Sequence, residues 1–214
     1  SGAGCESGVD ELIALSYDLH LHSCLSPCGD DDMTPANIVG MAAVMGLELI
    51  ALTDHNSAKN CPAFLKMAEE YGILALPGME LTTEEEVHVV CLFSELDAAM
   101  AFDEYVYAHL QPFPNEEAIF GKQQIYNEND EVVGKVENLL INATNISFDE
   151  VYDLVEQYGG VMIPAHVDKN SNSLMANLGF IPPDARFTTA EVKDLKKLHE
   201  LRKQHPYLEK CRII

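Results

Sequence analysis

The feature that most constrains this chain is an alternation of short apolar runs with capped helical stretches. Leu49 to Thr53, Ile73 to Leu76, Val87 to Phe93 and Val161 to Pro164 read as buried strands, preceded by a first strand around Tyr17 to Leu21. Between them, Thr34 with Pro35 opens a helix that Gly46 stops, and Asn60 to Tyr71 gives a second, stopped by Gly72. Ser94 with Asp97 predicts a helix to about Leu110, and Ser147 with Glu150 one to Tyr158. Thr188 with Glu191 predicts a last helix to about His205, and Arg212 to Ile214 reads as the beginning of one more strand. The order β-α-β-α-β-β-α, then α-β-α-β, favours a mainly parallel sheet with right-handed crossovers. The expected organisation is an N-terminal extension over 1–16 and one α/β domain over 17–214. The polar stretch near 111–146 is an irregular excursion from it.

In such folds, sites lie at the carboxyl ends of the strands. His20 and His22 stand two apart, a spacing that puts both imidazoles on one face of an extended strand. Two neutral imidazoles on one face can hold zinc, manganese or iron; the ordinary alternative is a pair of half-exposed histidines on an edge strand. His55, Glu80, His88 and His166 fall at or near later strand ends, which favours the metal reading and a barrel-like fold with a cluster at one mouth. Cys24 and Cys28 read as packing of the first loop, with metal binding as the alternative. His109, His199 and His205 read as surface residues. No G-x-S-x-G and no Cys–His dyad in a recognisable context offers a side-chain nucleophile.

Composition sets the outer limits. Thirty-five acidic residues against 13 basic give a net charge of −22. A surface of that sign repels phosphate backbones, so binding to long nucleic acid and to anionic membranes is not expected. No apolar run reaches the roughly 18 residues of a membrane span. Residues Ser1 to Gly8 lack the apolar core of a signal peptide. The 6 scattered cysteines fit reduced thiols. A cytoplasmic protein is expected.

The series D-L-H-x-H-S at Asp18, T-D-H-N at Thr53, G-x-E at Gly78, H-V-V at His88 and A-H at Ala165 resembles the PHP family of phosphoesterases, named for bacterial DNA polymerases and histidinol phosphatase. The resemblance covers roughly Tyr17 to Asp168 and implies a distorted (β/α)7 TIM-like barrel with two or three divalent metals. By position, it implies that His20 and His22 hold a first metal. Glu80 bridges it to a second, held by His88 and His166, and His55 serves a third. The family's acidic first-loop ligand, counted back from Pro35, corresponds to Asp30. Asp54 either orients a ligand or caps a turn. Lys169 and Arg186, in the loop after His166, either hold a substrate phosphate or are surface charges. The family closes with an Asp-x-His that supplies the first and third metals. None follows His166 here, and the chain ends in what reads as the start of that strand. The expectation is therefore a truncated form or an incomplete site.

The activity implied is a metal-dependent phosphoesterase that hydrolyses a small phosphorylated metabolite or a nucleotide through a metal-activated water. The alternative is a catalytically incomplete metal-binding or regulatory domain that keeps the fold.

Overall fold

The computed structural model describes residues 14–214; most of the expected N-terminal extension, with Cys5, lies outside the described residues. The fold is mixed α/β around a parallel-rich sheet in the order β1 (Tyr17–Leu21), β2 (Leu49–Leu52), β3 (Leu74–Thr82), β4 (His88–Phe93), β7 (Gly160–Pro164). Strands β1, β2 and β3 pair in parallel. β4 runs antiparallel to β3, because only five residues separate them and no crossover fits. Helix α1 (Pro35–Met45) and helix α2 (Cys61–Tyr71) are the first two crossovers. Both end at glycines in the left-handed region, Gly46 and Gly72. Helix α3 (Leu96–His109) follows β4.

The 111–146 excursion is not formless. It contains a one-turn helix α4 (Glu117–Phe120) and a hairpin of β5 (Gln124–Tyr126) and β6 (Val132–Lys135). Buried Gln123 organises it, donating to the carbonyls of Val136 and Asn138 and accepting from the Leu140 amide. Helix α5 (Phe148–Gln157) opens with the expected capping box of Ser147 and Glu150, and β7 (Gly160–Pro164) returns antiparallel to β4.

After β7 come the one-turn helix α6 (Leu174–Asn177), β8 (Thr189–Ala190), helix α7 (Leu198–Gln204) and β9 (Arg212–Ile213). The expected helix start at Thr188 and Glu191 is not formed: Thr189–Ala190 is a strand parallel to β9. That pair continues the curl of the main sheet, since the Glu191 amide donates to the Pro164 carbonyl and the Val167 amide to the Glu191 carbonyl.

Period-two alternation sorts the strands' side chains. Ala51, Val90, Leu92, Ile163 and Ala165, with Leu19, Leu76 and Ile214 against them, form an inner cluster on the concave face. Met79, Leu81, Val89, Cys91 and Phe93 face the helices in the larger core. Leu19 at one sheet edge and Ile214 at the other thus meet the same inner cluster. Among the described residues, however, no ladder joins β9 to β1. No described helix is long and apolar enough to cross a membrane.

Candidate metal centre

On β3 the inward face runs Leu76, Gly78, Glu80, so the alternation that builds the inner cluster delivers Glu80 to its mouth. β4 delivers His88 in the same way, one pleat beyond Val90. His55 sits where the β2–β3 ladder continues past β2, held by the Glu80 amide on the Asp54 carbonyl and the Asn56 amide on the Glu80 carbonyl. His166 follows β7 with φ +32°, a left-handed value that costs about 1–3 kcal/mol in a non-glycine residue.

These residues converge on one buried carboxylate. Glu80 Oε2 is 3.1 Å from His20 Nε2, 3.0 Å from His22 Nε2 and 3.4 Å from His55 Nδ1. Glu80 Oε1 is 2.9 Å from His88 Nδ1 and 3.0 Å from His166 Nε2. The cluster floors an open cleft of about 360 Å³, with Lys169, Ser171, Asn172 and Lys193 on its walls.

The sequence-predicted residues divide accordingly. His20, His22, His55, Glu80, His88 and His166 come together, and Lys169 lines the same cleft. Asp30 does not join them: it is exposed, and its side chain accepts weakly from the Asp32 amide in its own turn. Arg186 is elsewhere, paired with Asp153 at 2.5 Å and stacked 4.3 Å over the Tyr152 ring. Asp168 accepts from the amides of Lys193 and Asp194 and holds that loop.

Two residues matter that sequence reasoning missed or misread. Glu191 accepts from His20 Nδ1 at 2.6 Å, which leaves the Nε2 lone pair, on the side of Glu80, free to ligate a cation. Ser26 gives its one hydroxyl proton to Asp54 Oδ1 at 2.7 Å and accepts from the His55 amide at 3.0 Å. At 3.1 Å from His22 Nδ1 it must therefore accept there too. His22 then also presents Nε2 to the centre. Such partners fix tautomer and ring orientation in metal sites. Glu191→Ala is therefore expected to weaken metal binding by about 10–100-fold. Competition with a chromophoric chelator measures it, and unchanged affinity would refute the assignment.

Electrostatics agree with this arrangement. Burial by itself pushes Glu80 up, but the hydrogen bonds from His166, His20, His22 and His88 hold it well below the usual carboxylate range. Burial lowers His20, yet its bonds to Glu191 and Glu80 raise it overall. Burial likewise opposes His22, which Cys28 and Glu80 push up to about 10. His55, buried among other imidazoles with only Glu80 in its favour, falls to about 3. The buried Glu80 carboxylate is thus favoured by positive charge placed beside it.

A divalent cation would supply the same charge. Neutral imidazole nitrogens with a carboxylate suit zinc, manganese or iron. His20, His22 and Glu80 form one group of mutually close donors, and His55, Glu80 and His88 another. His55 Nδ1 and His166 Nδ1 are buried without a hydrogen-bond partner, the state of groups awaiting one. The residues fit a metal centre.

Comparison with known proteins agrees with the geometry. An uncharacterized protein of Methanocaldococcus jannaschii is 30% identical over 101 residues, 43% of this chain and 59% of that protein. A 5'-3' exoribonuclease of Salmonella typhimurium is 33% identical over 88 residues, 39% of this chain and 29% of that protein. The chain therefore spans less than two thirds of the length of either. Among solved structures, a lesion-specific endonuclease from Pyrococcus furiosus has the same fold at 20% identity. Its TM-score is 0.56, over 83% of this chain and 42% of that one.

Two of these relatives are nucleases by name, which corrects the exclusion of long nucleic acid drawn from net charge. A net charge of −22 sums the whole surface. What approaches the centre meets the local field of the cleft, where Lys169 and Lys193 stand and where bound cations would reverse the sign. The family model described as PHP domain matches residues 18–173. Over most of its length, then, this chain belongs to the PHP domain family.

Proposed function

We propose that the chain is a metal-dependent phosphoesterase domain that hydrolyses the phosphate ester of a small phosphorylated metabolite or a nucleotide. One observation carries the reading: both oxygens of a single buried carboxylate, Glu80, are faced by five imidazoles at the floor of an open cleft. His20 and His22 with Glu80 Oε2 would hold one cation, His88 and His166 with Glu80 Oε1 a second, and His55 a third beside them. When bound, such cations supply Lewis acidity to a water and to phosphoryl oxygens. Glu191 and Ser26 keep two imidazoles in the ligating tautomer. Lys169 and Lys193 stand where a phosphate would enter and can hold its outer oxygens. The nuclease names among the relatives support a phosphate ester as substrate. In this reading the curled sheet is a distorted (β/α)7 barrel.

The test is metal analysis of the purified protein together with a panel of phosphomonoesters, phosphodiesters and nucleotides, each with Glu80→Gln alongside. Hydrolysis that needs metal and Glu80 establishes the reading, and bound metal without turnover on any ester refutes it. Lys169→Ala is expected to raise KM about tenfold or less and to leave kcat within about twofold, since it removes binding shared by ground and transition states. A kcat loss larger than the KM change would place Lys169 in the chemistry instead.

The exposure of Asp30 favours a second reading, a regulatory metal-binding domain with one incomplete position. Stoichiometric metal with no esterase activity is its signature.

A further inference from the structure

We propose that Cys28 is a thiolate ligand, holding a zinc-class cation jointly with His55 at the edge of the Glu80 centre, in the place sequence reasoning gives to Asp30. The inference rests on the metal reading above and adds to it a soft donor.

Three observations carry it. The donor atoms of His22, Cys28 and His55 lie within 4.8 Å of one another, whereas Asp30 belongs to no such group among the described residues. Zinc with about 2.3 Å to sulfur and about 2.0 Å to nitrogen sets tetrahedral neighbours about 3.5 Å apart, so small side-chain shifts bring Cys28 and His55 onto one ion while His22 keeps Nε2 toward Glu80. Next, the His55 side chain is only 6% exposed, and its Nδ1 has no hydrogen-bond partner. A buried polar atom left so is costly. A cation at this edge removes that cost.

The third observation is that the first loop is built to hold Cys28 where it is. Ser26 N donates to the Ser23 carbonyl and Gly29 N to the Ser26 carbonyl, at 3.0 and 2.8 Å. A Cβ on Gly29 would lie 2.1 Å from the Ser23 oxygen, so only glycine lets the loop close this tightly. Leu25 and Cys24 are buried beneath it. Cys28, in contrast, is exposed, with Sγ 3.5 Å from His22 Nδ1. A cysteine that served only to pack the loop would be buried, as Cys24 is. As the cation binds, the thiol proton passes to solvent and a sulfur–metal bond forms; nothing is oxidised or reduced. A thiolate at this position favours zinc over manganese.

The experiment loads the metal-free full chain with cobalt(II) and records absorption spectra of the wild type, Cys28→Ser, Cys28→Asp and Cys24→Ser. The expected result is a thiolate-to-cobalt charge-transfer band in the wild type and Cys24→Ser, absent in both Cys28 variants. Cys28→Ser should also hold about one cation fewer, and Cys28→Asp should regain it with a weaker preference for zinc. In the wild type alone, zinc should protect one thiol from an alkylating reagent, a measurement that depends on no variant folding. Cobalt bound with only the weak bands of nitrogen and oxygen ligation would overturn the assignment of Cys28 while leaving the metal centre standing. A charge-transfer band that survives Cys28→Ser would also overturn it. Failure to bind cobalt at all would overturn both readings together.

Discussion

Glu80→Ala is expected to strip the centre of metal and reduce hydrolysis by about a thousandfold or more. Both carboxylate oxygens serve the cluster, Oε2 facing three imidazoles and Oε1 two. Among the described residues no other acidic side chain sits between these imidazoles; Glu191 holds the far side of His20 and pairs with Lys193. Without Glu80 the cluster offers neutral nitrogens alone, and two cations would repel each other with nothing shared between them. Metal-ion stabilisation of transition-state charge is worth several kcal/mol, and each 1.4 kcal/mol is tenfold in rate, which gives the expected loss. Glu80→Gln separates charge from shape. It keeps the volume and one carbonyl oxygen, so it should fold like the parent yet retain little metal. The β2–β3 ladder should survive either change, because the residue's backbone amide and carbonyl make those bonds. Elemental analysis and a rate on the best ester decide the matter, and full activity in Glu80→Ala would refute a shared-carboxylate mechanism.

The residues that sequence reading placed correctly are those whose signal is local. Thr34 with Pro35 and the stop at Gly46 bound α1, and the Ser147–Glu150 box opens α5, because a cap is made by residues a few positions apart. Glu80 and His88 are legible from the motif series and from their place near strand ends; the strand read as ending at Leu76 runs on to Thr82, and alternation along it and along β4 turns both residues inward. Where the reading failed, two solutions shared one sequence pattern. Ser94 with Asp97 looks like a capping box, yet the α3 N-cap is Glu95 and no side chain caps it.

Thr188 with Glu191 has the same spacing, but Ala190 is wholly buried in the core and the chain there extends to pair with β9. Tertiary burial outweighs the local cap, and the turn that a helix would have made instead aims Glu191 at His20, 171 positions away. Nothing in the neighbourhood of either residue announces a contact at that separation. Asp30 stands outside the cluster for a different reason. Position was counted from Pro35, whereas the tight Ser23–Gly29 turn uses up residues and presents Cys28 instead. Net charge misled because it carries no information about where the few lysines stand.

Asp54→Ala should be the most damaging change outside the cluster itself, lowering the melting temperature by about 6–20 °C and weakening metal binding although no donor is removed. Asp54 is 1% exposed and accepts three hydrogen bonds. They come from the Ser23 amide at 2.6 Å and from the hydroxyls of Ser23 and Ser26, each at 2.7 Å. Burial pushes its carboxyl up, against the pull of His22, Ser23 and Ser26. The hydrogen count nevertheless requires the ionised form. Ser23 Oγ already accepts from the Leu25 amide and Asn60 Nδ2, and Ser26 Oγ from the His55 amide and His22 Nδ1. Neither hydroxyl can take a further proton, so both donate to a carboxylate. Removing that carboxylate strands three buried donors, and breaking a buried charged network costs about 3–5 kcal/mol. At about 2–4 °C per kcal/mol for a domain of this size, the expected melting shift follows. The consequence for metal comes through Ser26. Freed of Asp54, its hydroxyl can turn and donate to His22 Nδ1, which puts the proton on the nitrogen that faces Glu80 and removes a ligand without touching one. Asp54→Asn, whose amide nitrogen cannot accept, should fall between the two. Thermal melts of the metal-free proteins, paired with zinc titrations, separate the effects. A variant that melts within about a degree of the parent and binds zinc unchanged would show that the loop holds His22 without this carboxylate.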